Sequence, residues 1–189
     1  MLISRQNSLL LIVDIQAKLA PAIFDADEVV RNNVRLLEGA RQMGVPAFVS
    51  EQYVQGLGHS LAAIRNAAIT DVMADPAVNA RFFEKTHFSC AAEPGVVDML
   101  RLAGRQQIIL TGTETHVCVL QSALGLLAAG FSVFLVADAA SSRTPFSRQA
   151  AIDRMRSAGV NIVTTEMVLF EWLHRAATDE FRAMLPLIK

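Results

Sequence analysis

Short apolar runs alternate along the chain with longer stretches in which apolar residues recur every three or four positions. The runs are "LLLIVDI" at 9–15, "VPAFVSEQ" at 45–52, the part of "ARFFEKTHF" that ends near Lys85, "QQIILTG" at 106–112, "SVFLVAD" at 132–138 and "VNIVTT" at 160–165. Runs of this length, rich in β-branched residues and bounded by turn residues, predict strands buried on both faces. Between them the spacing predicts helices. Asp25 and Asp27 offer N-caps for one that continues through Met43, with Val30, Val34 and Leu37 on its apolar side and Gly44 as its stop. Residues 53–60, "YVQGLGHS", read as a loop, and 60–80 as a weakly patterned helix and connector. Pro94 marks the first turn of a helix that closes at Gly104. Further helices are expected over 115–129, over 147–159 and in the remainder to the C-terminus.

Strands that alternate with helices of this length predict a parallel sheet with helices on both faces and right-handed crossovers. The expected fold class is therefore α/β: a three-layer α/β/α sandwich with a mainly parallel six-stranded sheet of Rossmann-type topology. No internal repeat, low-complexity tract or linker divides the sequence, so residues 1–189 are read as a single domain.

Composition narrows this picture. The 189 residues are 52% hydrophobic and 19% charged, with a net charge of −1. That is too apolar for disorder. It also lacks the basic stripe expected of a protein that binds nucleic acid or an anionic membrane surface. Two cysteines are not a disulfide framework and fit a reducing, cytoplasmic setting. Asp14 ends the N-terminal apolar run with no small-residue cleavage site after it, so no signal peptide is expected. The uncharged segment from Val117 to Ala137 is long enough to span a bilayer, but Gln121, Ser122, Gly125, Gly130 and Ser132 interrupt it. A buried helix, a glycine stop and a buried strand account for it better.

In open parallel sheets functional groups gather beyond the carboxyl ends of the strands. Asp14, Lys85 and Cys118 all stand at such ends. A cysteine in the first turn of a helix is favoured as a thiolate by the helix dipole, and a nearby lysine favours it further. A carboxylate within reach can take the thiol proton and return it to a leaving group. The residues alone leave a second reading open for each. Cys118 can be an inert buried filler, Asp14 a turn residue, and Lys85 a solvated side chain paired with Glu84.

The segments "LLIVDIQ", "KTHFS" and "GTETHVCV" together resemble the isochorismatase-like cysteine hydrolase family, which includes nicotinamidases and N-carbamoylsarcosine amidases. The resemblance runs from about residue 8 to the C-terminus. It is nearest to an uncharacterised branch that carries "EQY…GLG", "VADAASSR" and "EMVLFEWL". It implies a catalytic triad of Asp14, Lys85 and Cys118. It also implies a non-proline cis peptide joining Thr113 to Glu114, with the backbone N–H groups of Glu114 and Cys118 forming an oxyanion hole. The implied activity is hydrolysis of a small amide or other C–N bond through a Cys118 thioester, with Asp14 as general base and acid and Lys85 as electrostatic stabiliser. Gln16, Leu19, Tyr53, Phe88 and His116 are the expected substrate pocket, with Tyr53 and Phe88 equally able to be core.

The sequence departs from nicotinamidases where those enzymes hold a metal. Gln52 and Tyr53 stand at the start of that motif and only His59 matches a ligand, so no metal and no other cofactor is expected. A zinc site from His87, Cys90, His116 and Cys118 has spacings of no familiar kind and would consume the nucleophile. Arg143 and Lys85 are the only cations expected near the pocket, too few for a dianion such as isochorismate. His174 reads as a surface residue. The expected partners are a small-molecule substrate and further copies of the chain, as a dimer or tetramer, with "EMVLFEWLHRA" as core or interface anchored by Phe170 and Trp172. Three other readings compete. A non-catalytic binding or scaffold member would keep the triad by descent. A nucleotide- or flavin-binding domain lacks a G-x-G-x-x-G after the first strand. RNA cleavage lacks a basic groove.

Overall fold

The first strand, β1 (Ser8–Val13), is buried along its whole length, so both of its faces must be covered by other elements. A computed structural model, which describes residues 1–69 and 80–188, shows how this is done. β1 lies inside a six-stranded sheet with β2 (Ala47–Gln52), β3 (Arg81–Lys85), β4 (Gln107–Thr113), β5 (Ser132–Ser141) and β6 (Asn161–Val163), in the order β3-β2-β1-β4-β5-β6. Every pairing is parallel. On one face the helices are α1 (Ala26–Met43), α3 (Ala62–Ala68), α7 (Thr165–Leu173) and α8 (Asp179–Ile188). On the other they are α4 (Val96–Leu102), α5 (Leu120–Ala128) and α6 (Pro145–Ser157). A single turn, α2 (Val54–Leu57), lies within the loop after β2. The three-layer α/β/α architecture expected from the alternating pattern is present, with all six strands parallel.

Alternate residues of the inner strands serve opposite cores. Leu10 and Ile12 face the layer that holds Trp172, while Leu9, Leu11 and Val13 face the layer that holds Cys90 and Cys118. α1 closes the first core. It begins at Asp25, which caps by position but makes no side-chain cap bond, and it stops at Gly44 in the left-handed region. Trp172 is 1% exposed beside Gly39 of α1, so it belongs to the core and is no interface anchor; Phe170 on the same helix is 44% exposed. Some element bounds differ from the sequence pattern. α4 starts two residues after Pro94, because Gly95 takes the left-handed N-cap position. β5 continues three residues past Asp138. The connector expected over 60–80 contributes α3, and its remainder at 70–79 lies outside the described residues. His174 caps the end of α7 at the surface in the left-handed conformation.

The topology fixes where a site can form. The chain winds outward from β1 to β3, returns to β4 on the other side of β1, and winds outward again to β6. The crevice beyond the carboxyl ends of β1 and β4 is thus the topological switch point. Gly112 lets the two strands approach there. It pairs with Val13 at φ +110°, and a Cβ on it would stand 2.1 Å from the Val13 carbonyl oxygen. No side chain other than hydrogen fits without moving β1. We expect Gly112→Ala to destabilise the fold by about 3 kcal/mol or more, through backbone strain and overpacking together. Gly44→Ala, which meets no atom within 4 Å, should cost only about 1 kcal/mol. Thermal unfolding of both variants beside the native chain checks this, and equal losses would contradict it.

Candidate active site

Asp14 is the residue after β1 and holds φ 51°, a left-handed conformation that Asp tolerates better than most residues. That turn carries the side chain into the crevice. Three neighbouring elements then fix it. The Asp14 N–H donates to the Ser50 carbonyl at 3.2 Å, the Ser50 hydroxyl donates to Asp14 Oδ1 at 2.7 Å, and the Thr113 hydroxyl donates to the Asp14 carbonyl at 2.7 Å. Lys85, the last residue of β3, reaches across the end of β2. Its Nζ lies 2.7 Å from Asp14 Oδ2, and both side chains are fully buried. Glu84 is exposed and has no part in this pair.

The lysine is held by more than the carboxylate. Its ammonium has four oxygen acceptors: Asp14 Oδ2, Gln52 Oε1 at 2.6 Å, the Phe88 carbonyl at 3.2 Å and the His87 carbonyl at 3.3 Å. Gln52 Nε2 donates to the Thr86 carbonyl at 2.8 Å, which turns the amide oxygen toward the ammonium. The 86–88 loop is itself tied down by Glu93. One carboxylate oxygen of Glu93 accepts from the Thr86 N–H, the His87 N–H and His87 Nδ1. The His87 ring and these two backbone donors hold the Glu93 carboxyl down at about 2. Sequence patterns gave no role to Ser50 or Glu93, placed Thr113 only at the expected cis peptide, and noted Gln52 only as a departure from a metal motif.

Cys118 follows β4. The Thr113–Glu114 peptide is cis, and residues Thr115–Val119 make a π-helical turn closed by the Val119 N–H on the Glu114 carbonyl at 3.2 Å. The turn runs directly into α5. Such turns are rare and collect at functional sites. Cys118 therefore sits one wide turn into a helix, where the residue is 7% exposed and its thiol lies against the Asp14 carboxyl group. The structure brings Asp14, Lys85 and Cys118 together at the switch point.

The electrostatics differ from the thiolate expected of a helix start beside a lysine. Burial, reinforced by the Asp14 charge, pushes the Cys118 thiol up to about 12, with Lys85 opposing. Burial also pushes Asp14 above its ordinary value, while Lys85, Ser50 and Cys118 pull it back. At neutral pH Cys118 thus rests as a thiol. Cys90 lies close by, fully buried, and its thiol is pushed up to about 11, chiefly by burial.

The remaining expected residues scatter. Gln16 is fully buried and is not a pocket wall. Its amide accepts from the Gln52 N–H at 2.8 Å and donates to the Gln52 carbonyl at 2.9 Å and the Gly58 carbonyl at 2.5 Å, so it ties the loops after β1 and β2 together. Leu19 is half-buried ahead of a short 3-10 turn. Tyr53 and Phe88 are each 55% exposed, so neither is core. Both adjoin Lys85 through their backbones, Tyr53 by its N–H on the Lys85 carbonyl at 3.0 Å. His116 is half-buried with Nδ1 3.0 Å from the Ser142 hydroxyl, and Arg143 donates to Glu114 at 2.7 Å. His87 and His116 thus have different partners, and the four-residue zinc set does not assemble. His59 Nδ1 lies 2.9 Å from the buried Glu51 carboxylate, on the opposite side of β2 from Ser50. Among the described residues no three His, Cys, Asp or Glu side chains gather as metal ligands, and no helix is long and apolar enough to cross a membrane.

A doubly wound parallel sheet with a cysteine, a carboxylate and a lysine at its switch point defines an α/β protein of the isochorismatase-like fold. The chain belongs to the isochorismatase family: the Isochorismatase domain matches residues 8–167. It is 36% identical over 176 residues to an isochorismatase domain-containing protein 1 from Salmo salar, covering 93% of this chain and 59% of that protein. The chain thus spans about three fifths of that relative's length. An isochorismatase family protein 1B from Dictyostelium discoideum is 35% identical, with 97% of this chain and 87% of that protein covered. Among solved structures, one described as the MAR1 ribonuclease from Caenorhabditis elegans superposes with a TM-score of 0.89 at 34% identity, covering 100% of this chain and 92% of that one.

The resting charge state has a consequence with a definite sign. The Asp14 carboxylate raises the Cys118 thiol, so Asp14→Asn removes the opposing charge and leaves Lys85 unopposed. We expect the Cys118 thiol of that variant to titrate about one pH unit or more below its native position. Iodoacetamide alkylation followed against pH by peptide mass spectrometry reads this directly. An unchanged or raised titration would show that the two groups do not interact.

Proposed function

We propose that this chain is a metal-independent cysteine hydrolase of a small amide or other C–N substrate. The observation that carries the reading is the Cys118 thiol lying against a buried Asp14 carboxylate that Lys85 neutralises. In the first step Asp14 takes the thiol proton as sulfur attacks the carbonyl carbon. The backbone N–H groups of Glu114 and Cys118 hold the tetrahedral oxyanion. Asp14 returns the proton to the leaving nitrogen and an acyl-thioester remains. Asp14 then accepts a proton from water, the hydroxide adds to the thioester, and collapse of the second tetrahedral adduct expels sulfur, which recovers its proton from Asp14. A carboxylate with a raised proton affinity suits both halves of this cycle, because it must accept and release a proton near neutral pH.

Lys85 acts through charge rather than contact. Its three N–H bonds face four protein oxygens, so none is free for substrate. The metal-free reading rests on the chemistry of the residues at hand: Gln52 is engaged with Lys85 and His59 with Glu51. Substrate contact falls to Tyr53, Phe88 and His116 around the crevice, with Leu19 beside it. We place the protein in the cytoplasm, where its two free cysteines stay reduced. Assembly as a homo-oligomer accords with the exposed Leu102, Phe146 and Phe170.

The name of the Caenorhabditis structure supplies a second reading, RNA cleavage. A net charge of −1 argues against a phosphate-binding groove. The two readings and the non-catalytic alternative separate in one set of assays. In an amide library the native chain should release amine or ammonia. Cys118→Ser and Asp14→Asn should lower kcat by about a thousandfold or more, in line with loss of a nucleophile or its base. Trapping the acyl group on the Cys118 peptide identifies the thioester. Cleavage of RNA that survives Cys118→Ser, or stoichiometric binding of an amide without turnover, would sink the hydrolase reading.

A further inference from the structure

Ser50 has no assigned role, yet it touches Asp14 twice. It is fully buried at the position of β2 that pairs with Val13, one residue before Asp14. Its carbonyl accepts the Asp14 N–H at 3.2 Å and its hydroxyl donates to Asp14 Oδ1 at 2.7 Å. The other carboxylate oxygen belongs to Lys85 at 2.7 Å. One carboxylate oxygen is thus held by a neutral donor and the other by a cation, so both are fixed. The Ser50 hydroxyl gives its single proton to Asp14, and the fully buried Cys90 lies nearby. Cys90 is in turn anchored by its N–H on the Ser122 hydroxyl at 2.8 Å, one turn along α5 from Cys118.

We propose that Ser50 is a positioning residue that orients Asp14 toward Cys118 and sets the pH at which Asp14 becomes available as a base. The proposal rests on the reading of Asp14 as the base for Cys118. The titratable groups that face Asp14 are Lys85 from β3, Cys118 from the turn after β4 and Cys90 from the turn after β3. Ser50 donates to the carboxylate, so it favours the charged form and opposes the effect of burial. Removing the hydroxyl strengthens proton binding to Asp14 and delays the appearance of the base as pH rises.

The test is the pH profile of Cys118 alkylation by iodoacetamide, read by peptide mass spectrometry with Cys90 as the buried reference. Below the Asp14 titration no base is present and alkylation falls away, which gives the profile an acid limb. In Ser50→Ala that limb should move to higher pH by about one unit, the size expected when a charged group loses one hydrogen bond. Ser50→Cys has nearly the same shape and a weaker donor. It should move the limb the same way by less, and it supplies the result if the alanine variant does not fold. In an Asp14→Asn background Ser50→Ala should leave the profile where it was. An unmoved limb in both single variants, or an equal shift in the Asp14→Asn background, would overturn the role given to Ser50. If Asp14→Asn alone leaves the native profile intact, the base assignment fails first and takes this proposal with it.

Discussion

The fully buried ion pair between Asp14 and Lys85 is the constraint around which this end of the molecule is built. Two opposite charges without solvent lose several kcal/mol each in hydration, and only close geometry with further hydrogen bonds restores it. The chain supplies those bonds from residues far apart in sequence. β2 contributes Ser50 to the carboxylate and Gln52 to the ammonium, and the 86–88 loop contributes two carbonyls. Glu93 holds that loop in place, and Gln16 holds the backbone of Gln52. The loops at the carboxyl ends of β1, β2 and β3 are thus fixed by one electrostatic requirement, although a parallel sheet alone would leave them free.

That requirement explains the state of the thiol. A cysteine beside a lysine and at a helix start would ionise easily if nothing opposed it. Here the lysine charge is already balanced by Asp14, and burial together with that same carboxylate lifts the thiol to about 12. In the proposed cycle the proton rests on sulfur until an acyl group arrives. A resting thiol is less exposed to oxidation than a resting thiolate. In the proposed mechanism reactivity then depends on the oxyanion donors, which are useful only once substrate is present.

Much of this was legible in the sequence. The sheet follows from run length and alternation, and the ends of β1, β3 and β4 single out Asp14, Lys85 and Cys118 as soon as the switch-point rule is applied. The supporting groups were not legible, for a physical reason. Ser50, Gln52 and Thr113 lie inside or at the ends of strands, where their polarity looks like an ordinary interruption of an apolar run. Their roles come from register across strands, Val13 beside Ser50 and Gln52 beside Lys85, and register is not local. Gln16 shows the converse: closeness to Asp14 in sequence suggested a pocket wall, but a glutamine amide can pair with a peptide's N–H and C=O together, and it does so with Gln52. The thiolate expectation treated the carboxylate as a base and left out burial and the carboxylate's own charge, which raise the thiol against the lysine.

The same saturation of Lys85 shapes what the crevice can recognise. An ammonium that faces four protein oxygens presents no free donor to a ligand, and the other nearby cation, Arg143, is bonded to Glu114 at 2.7 Å. Fixed charge at the mouth is therefore balanced on both sides of the nucleophile. The side chains that remain uncommitted beside Lys85 are the half-exposed rings of Tyr53 and Phe88. Rings of this kind offer area and shape, and they favour flat or apolar groups over charged ones. Cys118, the proposed nucleophile, is 7% exposed and admits only a slender approach. These features accord with the substrate class proposed above, a small neutral amide whose apolar part would rest against the rings while its carbonyl turns toward the N–H groups of Glu114 and Cys118.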